Sequence, residues 1–250
     1  MPKKPKVIVV LPALNAEKTL EKTISDIPKD IVSEVILVDD GSEDDTVALA
    51  RKLNLTVYAH NENIGYGANQ KTCYTIALEK GADIIIMLHP DYQYDGSLVG
   101  EMIGPIIHGR ADIMFGSRIR TRSEALTGGM PQLKYYLNRI FCILENIILA
   151  VNFSEHFSGF RAYKREVLET LPINNFSDDF VFDQEFMISA IAYGYKVGEI
   201  PVPIRYFTGA SSIQFIKGTK FLLQTLKTLL LYMMYRINVM KNKIFHYRIN

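Results

Sequence analysis

Between Lys6 and Leu88 the chain alternates two hydrophobic patterns. Short apolar runs at Lys6–Leu11, closed by Pro12, and Val35–Val38 read as buried strands, and Leu55–Ala59 and Ile84–Leu88 as the third and fourth strands. Between them, Ala16–Ile27 sets Leu20, Ile24 and Ile27 on one helical stripe, and Thr46–Leu53 and Gly67–Lys80 continue as helices. Strands and helices in strict alternation predict an α/β domain with a doubly wound, mostly parallel sheet and helices on both faces. Further on, Ile113–Gly116 reads as a strand, and Thr121–Met130, with Gly128-Gly129 and no periodicity, as a mobile loop. Lys134–Val151 and Asp183–Tyr193 read as helices, and Val197–Val202 as a last strand ended by Pro201 and Pro203. No repeat or low-complexity linker divides residues 1–210, which are read as one domain, with 211–250 as a tail.

With 250 residues, 48% of them hydrophobic, the chain can bury a full core, which excludes intrinsic disorder and a disulfide-stapled miniprotein. A net charge of +1 excludes a globally basic nucleic-acid binder. That average conceals an asymmetry. Beyond Glu199 there are eight Lys and Arg and no acid, leaving the first 199 residues at −7. Combined with Phe221, Leu222, Leu226, Leu229, Leu230, Met233, Met234 and Ile237, this basic tail reads either as an amphipathic helix on an anionic membrane surface or as a helix joining copies of the chain in a homo-oligomer. The apolar stretch Phe221–Tyr235 contains Lys227 and is shorter than the roughly 20 residues a membrane-spanning helix needs. Only five apolar residues follow Lys6 before Pro12, too few for a signal peptide. Cys73 and Cys142 have no metal or redox spacing, so the expected setting is cytoplasmic, peripheral on the inner face of the membrane.

In an open α/β sheet, ligands bind beyond the carboxyl ends of the strands. There the sequence places Pro12-Ala13-Leu14-Asn15, Asp39-Asp40-Gly41-Ser42, His89-Pro90-Asp91-Tyr92-Gln93 and Gly116-Ser117-Arg118. Asp39 and Asp40 can accept from ribose hydroxyls or a base N–H, or can simply form a strand-end turn. Gly65 and Gly67 raise a phosphate-loop reading that Gln70, in place of a third glycine, weakens. His89, Asp91 and Gln93 alternate, which on an extended segment puts them on one side; a carboxylate and an amide oxygen suit Mg2+, and an imidazole shifts preference toward Mn2+.

Taken in order, Val9-Val10-Leu11-Pro12-Ala13-Leu14-Asn15-Ala16-Glu17, Val38-Asp39-Asp40-Gly41-Ser42, Gly116-Ser117-Arg118, Ser158-Gly159-Phe160-Arg161 and Asp183-Gln184-Glu185 resemble glycosyltransferase family 2, most of all its dolichyl-phosphate mannosyltransferase and polyprenyl-phosphate glycosyltransferase branch. The resemblance covers about residues 6–210. It implies a GT-A, Rossmann-like fold and inverting hexose transfer from a UDP- or GDP-linked sugar. By that resemblance Pro12, Ala13, Asn15, Glu17, Asp39 and Asp40 match nucleoside-binding positions, Asp91 and Gln93 match the positions for Mg2+ or Mn2+ and diphosphate, and Arg118 matches the arginine near the phosphates. His89 stands where the first acid of a D-x-D motif is expected. The positions matching the acceptor-phosphate site are Lys134 and Asn138, with Arg139 beside them.

The acceptor decides what chemistry is needed. A saccharide hydroxyl requires a general base, for which Asp183 or Glu185 is the candidate, whereas a lipid phosphate is already ionised and requires none. The leading expectation is a polyprenyl phosphate. The alternatives are a saccharide hydroxyl, and a nucleotide-sugar-binding protein without turnover.

Overall fold

The computed structural model describes residues 4–203, 205 and 215–245. Seven strands form one sheet: β1 (Val7–Ala13), β2 (Glu34–Asp39), β3 (Thr56–Ala59), β4 (Ile84–Met87), β5 (Ile113–Ser117), β6 (Arg161–Lys164) and β7 (Val197–Pro201). Their spatial order is β3-β2-β1-β4-β6-β5-β7, and every pairing is parallel except those of β6, which runs against β4 and β5. This is the expected mostly parallel sheet with one reversed strand. The sequence pattern does not single out β6, because Arg161-Ala162-Tyr163-Lys164 is short and carries a charge at each end. Its reversal sets Arg161 beside Met87 of β4 and Phe115 of β5, at their carboxyl ends where a ligand would bind.

The period of two along each buried strand feeds two cores. On one face, Ile8, Val10, Ile36, Val38, Ile85 and Met87 meet Cys73, Tyr74 and Ala77 of α3 (Tyr66–Glu79) and Phe182 and Phe186 of α8 (Phe182–Ala192). On the other, Val7, Val9, Leu11, Leu37, Ile84 and Ile86 meet Leu20 of α1 (Glu17–Asp26), Ala50 of α2 (Thr46–Lys52) and Met102, Ile103 and Ile106 of α4 (Val99–Ile107). The segment read as an irregular loop holds a short helix, α5 (Arg122–Thr127): Thr121 Oγ1 accepts from the Glu124 N–H at 3.1 Å, and Glu124 pairs with Arg120. That side-chain cap supplies the start signal a search for apolar period misses.

The remaining helices are α6 (Gln132–Leu149), α7 (Arg165–Thr170) and α9 (Phe215–Arg236). Leu229 and Tyr232 of α9, and Phe245 beyond it, join the core over α8, and Ser189 Oγ donates to the Ile244 carbonyl at 2.8 Å. The basic tail is thus docked on the domain over its described part; Gln214, Arg248 and the side chains of Phe215 and Ile216 lie outside the described residues. No helix among the described residues is long and apolar enough to cross a membrane. Two helices keep apolar rows in solvent: Leu133, Tyr136, Ile140, Ile143 and Ile147 on α6, and Leu223, Leu226, Leu230 and Met233 on α9, continued by Ile237 just beyond its end. Both rows recur at spacings of three, four or seven, which is one face of a helix.

The glycines that suggested a phosphate loop have a packing role. Gly65 adopts φ 105°, and a Cβ on Gly67 would lie 2.3 Å from the Ser177 carbonyl oxygen and 2.8 Å from Phe182 Cβ. The start of α3 therefore abuts the segment before α8, with the Gly67 N–H donating to the Asp178 carbonyl at 2.8 Å. Gly67→Ala should lower stability by about 1–3 kcal/mol through overpacking. Gly104→Ala in α4, where a Cβ meets nothing within 4 Å, should be neutral or raise stability by about 0.5–1 kcal/mol. Equal urea midpoints for the two variants would contradict this packing account.

Candidate active site

β1 ends in the buried residues Pro12 and Ala13, and the chain turns at Asn15 (φ 52°). Asn tolerates this left-handed backbone because its short amide bonds locally. The Asn15 N–H donates to Ser42 Oγ (2.8 Å), and its Oδ1 accepts from the Glu43 N–H (2.9 Å). Glu17 is exposed in the first turn of α1, its N–H given to Asp44 Oδ2 at 3.2 Å. Asp39, opposite Ala13 in the β1–β2 register, accepts from the N–H groups of Gly41 (3.2 Å) and Ser42 (2.9 Å) and from Ser42 Oγ (2.5 Å). Asp40 accepts from the N–H groups of Ile64 (2.9 Å) and Gly65 (3.3 Å). Burial pushes the Asp40 carboxyl above its usual range, and the two amides only partly offset it. An ionised carboxylate offers about four lone-pair sites, so both acids fix their own loops and keep capacity for a ligand's hydroxyl or N–H.

Beyond β4 the segment does not stay extended. Asp91 Oδ1 accepts from the Gln93 N–H at 3.1 Å and Tyr92 adopts φ 61°, so the chain turns and the alternation that put His89, Asp91 and Gln93 on one side does not apply. Arg205 clamps this turn: its N–H donates to the Gln93 carbonyl (3.0 Å), its guanidinium lies 4.2 Å from the Tyr92 ring centroid, and it pairs with Asp26 (3.1 Å) and Asp95 (3.3 Å). Gln93 is buried, while Asp91 and His89 are half-buried. The turn carries an imidazole, a carboxylate and an amide, donor types a divalent cation could use, without the extended backbone that would have set them side by side.

Behind them lies a buried polar centre. Asp183, 8% exposed in the first turn of α8, receives Tyr66 O–H on Oδ2 (2.8 Å) and Gln70 Nε2–H on Oδ1 (3.2 Å), and Arg161 Nη1 stands 3.5 Å from Oδ1. Arg161 is 1% exposed and also donates to the backbone carbonyls of Asp183 and Ser158, at 2.9 Å each. Burial works against its charge, but Asp183 and the surrounding tyrosine oxygens outweigh that and push its pKa up. For Tyr66, burial and then the Asp183 charge push the hydroxyl well above the tyrosine range, so it keeps the proton it donates. Tyr66 Oη also lies 3.1 Å from His89 Nε2. Glu185, two residues on, points to another side of α8, where it accepts from the Ser177 N–H at 2.6 Å; burial raises its pKa. The structure thus brings Asp183 to the site and does not bring Glu185.

A second cluster joins Arg118 to the start of α6. Arg118 binds the fully buried Glu155 through its N–H, Nε (3.0 Å) and Nη2, and donates to the Phe157 carbonyl at 3.2 Å. Asn138 Nδ2 donates to Glu155 Oε1 at 3.0 Å, and Arg139 donates to the Ser154 carbonyl. Asn138 and Arg139 therefore secure the segment carrying Glu155. Lys134 is near enough for desolvation, and next the Arg118 charge, to lower its pKa against a pull from Glu155. Sequence reasoning gave no role to Tyr66, Gln70, Glu155 or Arg161. Arg161 entered it only as the last residue of the Ser158-Gly159-Phe160-Arg161 motif.

Residues 8–171 match the family described as glycosyl transferase family 2, and the protein belongs to that family. Its fold is that of a GT-A glycosyltransferase. The UDP-N-acetylglucosamine--dolichyl-phosphate N-acetylglucosaminyltransferase of Methanococcus voltae is 26% identical over 80% of this chain and 86% of its own length. The dolichyl-phosphate hexose transferase of Haloferax volcanii is 26% identical over 84% of this chain and 87% of its own. The fold also matches the crystal structure of glucosyl-3-phosphoglycerate synthase from Mycobacterium tuberculosis in complex with Mn2+, UDP and phosphoglyceric acid, with a TM-score of 0.70, 20% identity, and coverage of 92% of this chain and 78% of that one.

The Arg118–Glu155 pair gives a test of this site's electrostatics. Burial alone would raise the Glu155 pKa, but the Arg118 charge and the hydrogen bonds from Arg118 and Asn138 outweigh it and hold the carboxyl below its usual range. The pair's contribution is therefore full above the ordinary glutamate value of about 4.3 and is lost as pH falls through the depressed one. Glu155→Gln leaves Arg118 buried without its counter-charge and should cost about 3–5 kcal/mol at neutral pH. Its urea stability should also fall less steeply with acid than the wild type's. Parallel pH curves would refute this assignment.

Proposed function

We propose that the protein is an inverting, metal-dependent hexosyltransferase that moves a sugar from a UDP- or GDP-linked donor to a polyprenyl phosphate at an anionic membrane surface. The observation that carries this reading is the state of Asp183. Both of its oxygens face donors from Tyr66, Gln70 and Arg161. These contacts tie its carboxylate to α3 and β6, and the other candidate base, Glu185, faces away. A site whose two candidate carboxylate bases are both engaged by other groups suits a nucleophile that arrives ionised, as a phosphate does. The names of the Methanococcus and Haloferax relatives, which act on dolichyl phosphate, support the same acceptor.

In this reading Asp39 and Asp40 hold the nucleoside, with Asn15 fixing their loop. A divalent cation, when bound, supplies positive charge to the leaving diphosphate. His89, Asp91 and Gln93 would hold it; among the described residues no three His, Cys, Asp or Glu gather as a metal site, so diphosphate oxygens would complete its shell. The Mn2+ in the mycobacterial structure supports such an ion. Arg118 adds charge that favours the diphosphate more as its bond breaks. Lys134 attracts the acceptor phosphate as a point charge. The acceptor oxygen attacks the anomeric carbon from the face opposite the diphosphate, which departs with the electron pair of the broken C–O bond. No proton is transferred, and the configuration inverts.

The apolar rows on α6 and α9 and the exposed basic residues Lys217, Lys227, Arg236, Lys241 and Lys243 support peripheral attachment to a membrane. Purified protein with Mn2+ and a panel of UDP- and GDP-hexoses should transfer label to polyprenyl phosphate and not to an oligosaccharide. Transfer to the oligosaccharide alone would replace the acceptor, and donor binding without any transfer would make the protein a nucleotide-sugar binder. Full-length protein should bind anionic vesicles and release them as salt rises, since exposed charges are screened beyond about 10 Å at 0.1 M. A dimer that ignores vesicles would assign the α9 face to self-association.

A further inference from the structure

His89 departs from the acid expected at its position, and its surroundings give the imidazole a defined orientation. A Cβ on Gly159 would lie 2.5 Å from His89 Nε2 and 2.7 Å from Cδ2, so that edge of the ring is pressed on the Gly159 backbone. The ring is stacked on Tyr66 (centroids 5.6 Å apart, interplanar angle 22°), and Tyr66 is in turn stacked on Phe180 (4.8 Å, 29°). Nδ1, on the edge away from Gly159, has no hydrogen-bond partner among the described residues.

The hydrogen bonds then fix where the proton sits. Asp183 Oδ2 can only accept, so the Tyr66 hydroxyl at 2.8 Å spends its single proton there. Tyr66 Oη must accept from His89 Nε2 at 3.1 Å, which places a proton on Nε2, so that in the neutral ring Nδ1 is the bare nitrogen. A metal-binding histidine is commonly oriented in this way, its second nitrogen donating to a neighbour tied to a carboxylate. Here a tyrosine hydroxyl stands between the two.

We propose that Tyr66 is a positioning residue, which transmits the Asp183 charge to His89 so that the bare Nδ1 is presented to the cation and the site selects Mn2+ over Mg2+. This rests on the reading of the strand ends as a nucleotide-sugar and metal site. Imidazole nitrogen suits a first-row transition ion, whereas Mg2+ favours oxygen ligands.

Nitrogen-15 NMR of the His89 ring in the metal-free, full-length protein should report a protonated Nε2 and a bare Nδ1. Tyr66→Phe keeps the stacked ring, removes only the hydroxyl and should let the tautomers mix. In Mn2+ titrations with saturating UDP or GDP, followed by electron paramagnetic resonance, Tyr66→Phe should bind Mn2+ about 10- to 100-fold more weakly. His89→Asp should reverse the preference toward Mg2+, and adding Tyr66→Phe to it should cost no further Mn2+ affinity. Unchanged Mn2+ affinity in Tyr66→Phe, or an Nδ1-protonated His89 in the wild type, would overturn the role of Tyr66 while leaving the metal site standing. A wild type that binds no Mn2+ with either nucleotide would overturn both.

Discussion

Arg161 and Asp183 face one another in a part of the protein where the arginine is fully buried and the carboxylate nearly so. Removing two charges from water costs several kcal/mol per ion, which their attraction offsets only when the remaining polar atoms are also satisfied. The structure meets that condition by drawing in Tyr66 and Gln70 from α3 and the Ser158 carbonyl from the chain before β6. One buried pair thus joins β6, α8 and α3, and through Tyr66 it reaches His89 at the end of β4. The reversed direction of β6 makes this geometry available, because a parallel strand there would carry Arg161 to the opposite end of the sheet.

The same economy recurs across the site. Asp39, Asp40 and Glu155 each bind their own loop or a neighbouring cation before any ligand arrives. Their side chains are therefore oriented in advance, which lowers the ordering cost of binding and fixes dipoles where charge develops. The cost falls on versatility. Asp183 and Glu185 are both held by other groups, and this is the physical reason for favouring an acceptor that brings its own negative charge.

How much of this was legible in the sequence depended on the range of each interaction. Strands such as Val7–Ala13 and Ile84–Met87 declare themselves by unbroken apolar runs, and the rim acids by lying just beyond such runs. β6 lacked that signal because a four-residue strand with terminal charges resembles a turn. The turn at Tyr92 was hidden because a left-handed tyrosine is uncommon and has no sequence signature. Tyr66 and Asp183 are 117 residues apart, and Arg118 and Glu155 are 37, so no local pattern announces either contact. Glu185 looked equivalent to Asp183 by sequence; a separation of two residues, a little over half a helical turn, gives them different surroundings.

The claim that Asp183 is an anchor and not a base is tested most directly by Asp183→Asn, measured for both stability and single-turnover transfer to polyprenyl phosphate on the folded protein. The account predicts a loss of about 3–5 kcal/mol in urea unfolding, because Arg161 is left buried without its counter-charge. It also predicts a transfer rate that falls by much less than the roughly 10²- to 10⁴-fold expected when a general base is removed. Preserved stability with a rate collapse of that size would contradict it.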